Sequence, residues 1–175
     1  MNPILDMIMN SNGGGAMQQV AERFGLSSGQ TTNALSQLVP ALTAGLQQNA
    51  SQEGGIGALL GALSTGNHAQ YLDRPELLGQ EAATEDGNSI LGHVFGSKDV
   101  SRAVANNAAQ QTGIGADVLK QMLPVVAAMV MGGLAKQHAA AGSQNILSSL
   151  LDRNHDGSVA DDVVGMLGRF LGGRS

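Results

Sequence analysis

Apolar residues recur along almost the whole chain at the three-to-four-residue spacing of a helix, and helix-end signals recur with them. No run alternates β-branched or aromatic residues with polar ones, so the expected fold class is all-α and multi-helical. Asn2-Pro3 reads as an N-cap followed by a first-turn proline, opening a short helix to about Asn10. A Gly-rich break over 11–15 leads to a second helix, Ala16 to Phe24, with Gly25 placed to cap it. Ser27 and Gln30 have capping-box spacing ahead of a long helix from about Ser28 to Asn49, whose Leu35, Leu38, Val39, Leu42 and Leu46 share one face. Pro40 lies within it and predicts a kink, because proline removes a backbone donor. A short helix follows over Ile56–Leu63, with Gly57 and Gly61 spaced for close helix contact. Later helices are expected from about Val100 to Thr112, ended by Gly113, then a long one to about Ala141 broken at Pro124, one over Asn145–Leu151, and one over Val159–Leu171. The last is amphipathic, with Val163, Met166, Leu167, Phe170 and Leu171 on one side.

Two halves of this pattern resemble each other. Each has a helix, a Gly-Leu or Gly-Ile turn, and a longer helix with an internal proline, at Leu38-Val39-Pro40 and Met122-Leu123-Pro124. From glycine to proline is fifteen residues in one half and eleven in the other, a difference of about one helical turn. The expected architecture is therefore two pseudo-repeated helical hairpins with proline-kinked long helices. The parts are an N-terminal half at 1–66, an acidic linker or hinge at 67–89, a C-terminal half at 90–151, and an Asp-rich loop with its terminal helix at 152–175.

Composition narrows the function classes. Hydrophobic residues make up 42% of the 175, enough for a core, but with three Phe, one Tyr and no Trp that core is filled by slim aliphatic side chains. Nine Lys and Arg lie scattered in a chain of net charge −5, with no basic stripe, so nucleic acid is not an expected partner. The absence of Cys excludes disulfides, thiolate metal sites and a cysteine nucleophile. The first nine residues lack the basic leader and apolar run of a signal peptide, and a cytoplasmic location is the expectation. Met122 to Ala135 is charge-free but shorter than the roughly 20 residues a membrane span needs, and reads as a core helix.

Several features together resemble one family. They are Gly87-x-x-Ile90-Leu91-Gly92-His93-Val94-Phe95-Gly96, the Thr112-Gly113-Ile114 turn, the Leu123-Pro124 kink and an Asp-x-Asn-x-Asp-Gly tail. In this order and spacing the chain resembles the bacterial domain of unknown function 937 family, also called YidB-like, over about Ala16 to Phe170. The resemblance implies an all-helical bacterial protein, often ending in an Asp-rich loop, and implies no activity, substrate or catalytic residue.

That loop carries the sharpest chemistry. Asp152, Asn154 and Asp156 stand at alternate positions before Gly157, the first half of an EF-hand pattern, in which such oxygens face Ca²⁺ and the glycine permits the turn. Ser158 supplies a backbone carbonyl. The closing bidentate Glu is replaced by Val163, which leaves Asp161 or Asp162 to complete the shell. The other reading is a plain helix–turn–helix, with Ser158 capping the last helix and Asp161 and Asp162 favouring its N-terminal end.

Elsewhere the chemistry is sparse. His68, His93, His138 and His155 lack the spacing of a zinc site, and His93 is expected to be packed or capping. Glu81 and Glu85 read as a solvated face. No nucleophile elbow or phosphate loop is present, so the expectation is not an enzyme. The leading expectation is a non-catalytic module that associates with a protein partner or with itself as a homo-oligomer, with a structural Ca²⁺ loop. The alternative is a lipid- or small-ligand-binding protein, with Met122, Met129 and Met131 lining an apolar cavity.

Overall fold

A computed structural model describes residues 3–141. The expected helices after Ala141 and all six candidate calcium ligands, Asp152, Asn154, Asp156, Ser158, Asp161 and Asp162, lie outside the described residues. Within them the fold is all-α and contains no strand. The helices are α1 (Pro3–Asn10), α2 (Gly15–Phe24), α3 (Ser28–Ala50), α4 (Gly55–Thr65), α5 (Gln70–Asp73), α6 (Glu81–Phe95), α7 (Lys98–Thr112) and α8 (Ala116–Ala141). Short 3₁₀ turns at Ser11–Gly14 and Pro75–Gly79 join α1 to α2 and α5 to α6.

Local chemistry accounts for most of these boundaries. Ser27 caps α3 with the full reciprocal box: its Oγ accepts the Gln30 N–H at 3.2 Å, and the Ser27 N–H reaches the Gln30 side chain at 3.0 Å. Gly25 and Gly113 end α2 and α7 in the left-handed conformation, at φ 64° and 72°, which a β-carbon disfavours. Ser97 caps α7 by accepting the Val100 N–H at 3.3 Å, so that helix begins ahead of the expected Val100. Pro40 and Pro124 stand inside α3 and α8. α2 and α7 each end at a left-handed glycine and are followed by a long helix with an internal proline.

α8 is the centre of the molecule, and α1 through α7 all pack against it. Every residue from Met122 to Ala135 is buried. Its stretch Ala116–Ala139 is long and apolar enough to cross a membrane, yet 83% of the apolar window is buried by neighbouring helices. Met122, Met129 and Met131, expected to line a cavity, are instead 0–2% exposed within the aliphatic core. α6 approaches α8 closely at Gly87, where a β-carbon would overlap the carbonyl of Pro124.

Residues 67–89 differ from the expected linker. They form α5, the second 3₁₀ turn and the first part of α6, and they bury Tyr71, Leu72, Leu78 and Ala83 in the main core. Arg23 of α2 fastens this segment: its guanidinium donates to the carbonyls of Leu78 and Gln80 and, at 2.8 Å, to the Thr84 hydroxyl. Lys136 of α8 pairs with Asp73 at 2.5 Å.

Candidate functional site

Three places among the described residues gather chemistry; the Asp-rich loop lies outside those residues. Among the described residues no group of three or more His, Asp or Glu is placed to hold a metal ion. His93, expected to be packed or capping, is exposed in the last turn of α6, because Leu91 and Val94 on either side take the buried positions of that turn. The backbone carbonyl of His93 accepts the side-chain amide of Asn49 at 2.5 Å, which ties α6 to α3.

The first place joins α5 to α6. Tyr71 is the one tyrosine in the chain and is 3% exposed, so its hydroxyl needs a partner, and it donates to Asp86 Oδ2. Burial, then the bond to Asp86 and its charge, push the phenol pKa well above its usual range. A neutral donor to a carboxylate is a structural latch and a poor nucleophile. His68 lies beside it, ring centroids 6.5 Å apart, with its Nδ1 buried and unpartnered among the described residues. Burial lowers the His68 pKa from its usual value, opposed by attraction to Asp86. The residue is closely approached on two sides: a β-carbon at Gly66 would overlap the ring Nε2, and one at Gly132 would stand 2.7 Å from the His68 backbone carbonyl oxygen.

The second place is a cleft of about 560 Å³ where the end of α6, the start of α7 and the middle of α8 meet. Leu91 and Leu123 supply its buried apolar wall, and Lys98, Arg102 and Lys120 line it with no acidic residue among them. Arg102 and Lys120 also bridge to Asp99 and Asp117, each at 3.3 Å and each to a carboxylate 91% exposed.

The third place is α4, which carries no charged residue. Leu63 and Gly55 face the core, whereas Gly57, Ala58, Gly61 and Ser64 are exposed with Leu60 beside them. β-Carbons at Gly57 and Gly61 would enter open space.

The sequence pattern of a family described as bacterial protein of unknown function, DUF937, matches residues 6–137, three quarters of the chain. The chain belongs to that family. The match to DUF937 starts ahead of the expected Ala16 and stops before the expected Phe170, so it runs from within α1 through most of α8 and leaves out the Asp-rich loop. All three places just described fall inside the span shared with the DUF937 family. No curated protein and no solved structure matches the chain.

Sequence reasoning reached the small-residue pattern of α4 but neither of the other two places. A lone Tyr in an aliphatic chain is the signal that a buried hydroxyl seeks an acceptor, yet nothing in the linear order marks Asp86 as that acceptor. The cations of the cleft come from two helices and become neighbours only when those helices pack.

Proposed function

We propose that this DUF937 protein is a non-catalytic helical module that associates with a second copy of itself through α4. The observation that carries the reading is the exposed, charge-free face Gly57, Ala58, Gly61 and Ser64 with Leu60 at its edge. A face without charge meets its own copy without repulsion, and glycines four residues apart let two helix backbones approach closely. The described titratable cluster supports a non-catalytic role, since Tyr71 and Asp86 are engaged in joining α5 to α6.

Light scattering over a concentration series tests this. The expected result is a mass rising toward a dimer for the wild type and a constant monomer mass for Gly61→Glu, whose new side chain points into open space and leaves the fold intact. A wild type that stays monomeric throughout, or a Gly61→Glu variant that dimerises equally well, removes the reading.

We also propose that Asp152, Asn154, Asp156 and Ser158, closed by Asp161 or Asp162, bind Ca²⁺ as a structural ion. The support is the alternating oxygen spacing and Gly157. An ion bound only by the folded form raises stability in proportion to ln(1 + [L]/Kd). Millimolar Ca²⁺ is expected to raise the melting temperature above that in chelator, and Asp156→Ala to abolish the rise. Equal melts in both would leave the plain turn.

A further inference from the structure

Three of the six Lys and Arg among the described residues converge on the cleft between α6, α7 and α8, in a chain whose net charge is −5. Among the described residues that is where Lys and Arg gather, and no carboxylate lines the cleft itself. The carboxylates of Asp99 and Asp117 hold Arg102 and Lys120 from the solvent side, in exposed i,i+3 pairs of the kind that contribute little and exchange readily. A ligand anion entering between the helices therefore replaces weak partners rather than buried ones. The N-terminal end of α7 opens on the same space through Ser97 and Lys98, and its dipole adds to the positive potential.

The opposite wall has a different character. Leu91 and Leu123, 8% and 1% exposed, form an apolar floor, and the exposed, side-chain-free Gly92 and Gly96 leave room above it. A volume of about 560 Å³ is that of a small-molecule site, where an apolar wall supplies area and a few charges fix orientation. A bare inorganic anion would use the cations and ignore the leucines. A neutral apolar molecule would do the reverse.

We infer that this cleft binds an amphiphilic anion, a phosphate or carboxylate carried on a short apolar body, with the anion held by Lys98, Arg102 and Lys120 and the hydrocarbon laid along Gly92 and Gly96 over the floor of Leu91 and Leu123. This site is independent of the α4 association surface and stands or falls separately. The anion comes either from a free single-chain amphiphile or from a lipid headgroup, and the test separates the two.

Calorimetric titration with decyl phosphate below its micellar concentration is run beside inorganic phosphate, and co-sedimentation with phosphatidylglycerol vesicles beside phosphatidylcholine vesicles. Each is repeated on the double variant Arg102→Gln/Lys120→Gln and on Arg102→Lys/Lys120→Arg, with circular dichroism melts to check the fold. For a free amphiphile, decyl phosphate binds at least tenfold tighter than inorganic phosphate. The glutamine variant loses at least tenfold and the charge-preserving variant retains binding. For a headgroup, the same pattern of loss and retention appears with phosphatidylglycerol vesicles and not with phosphatidylcholine. Absence of binding in both arms, equal affinity for decyl and inorganic phosphate without vesicle binding, or full binding by the glutamine variant each overturns the assignment.

Discussion

The hydroxyl of Tyr71 is a single buried polar atom whose removal has a readable cost. Tyr71→Phe keeps the ring in the core and deletes the bond to Asp86, a hydrogen bond to a charged group. The expected loss is about 1.5–3 kcal/mol in denaturant unfolding. The same residue sets an alkaline limit. Its folded pKa lies above the unfolded value of 10.0, so the stability is complete below that pH and falls away as pH rises through it. Unfolding free energies measured from pH 8 to 11 are expected to decline in the wild type and to decline less in Tyr71→Phe. His68 acts with the opposite sign. Its folded pKa is below the unfolded 6.5, so its stability is complete above that value and diminishes as pH falls below it, with Asp86 moderating the effect. His68→Asn should flatten the acid side of the profile between about pH 7 and 5, and an unchanged slope would dismiss His68 as its source.

At the scale of one helix, α6 makes two opposite forecasts five residues apart. Gly87 abuts the Pro124 carbonyl, which belongs to the backbone of α8 and cannot rotate aside, so Gly87→Ala forces the helices apart. A cost of at least about 1–3 kcal/mol is expected in urea unfolding. Gly92 in the same helix faces open space, and Gly92→Ala should raise stability by about 0.5–1 kcal/mol through helix propensity alone. The same helix also shows where sequence reasoning stopped. The ends of α2, α3 and α7 were legible because Gly25, Ser27 with Gln30, and Gly113 carry their signals locally. α6 begins after Gln80 with no side-chain cap, and its early buried positions are Ala83 and Gly87, too small to register as an apolar stripe. Its first turns, set among acidic residues, therefore read as part of a linker. Packing against α8 overrides that local appearance.

Over the whole molecule the all-α class, the buried character of Met122–Ala135 and the family resemblance were legible, since each rests on composition or on motifs with fixed spacing. The latch between Tyr71 and Asp86 and the cleft of Lys98, Arg102 and Lys120 were not, because both arise where separate elements meet. α8 creates most of those meetings, being packed against by every preceding helix. That arrangement has a consequence for how the protein is made. Synthesis runs from the N-terminus, and the helix that completes the core is the last of the described ones to leave the ribosome. Until Ala116–Ala141 emerges, α1 through α7 lack the helix against which each of them packs in the finished fold. Nascent chains stalled at Gly115 are expected to be cut rapidly by protease, and chains stalled after α8 has cleared the exit tunnel to resist. Early protection would mean that α1 to α7 can close a core of their own.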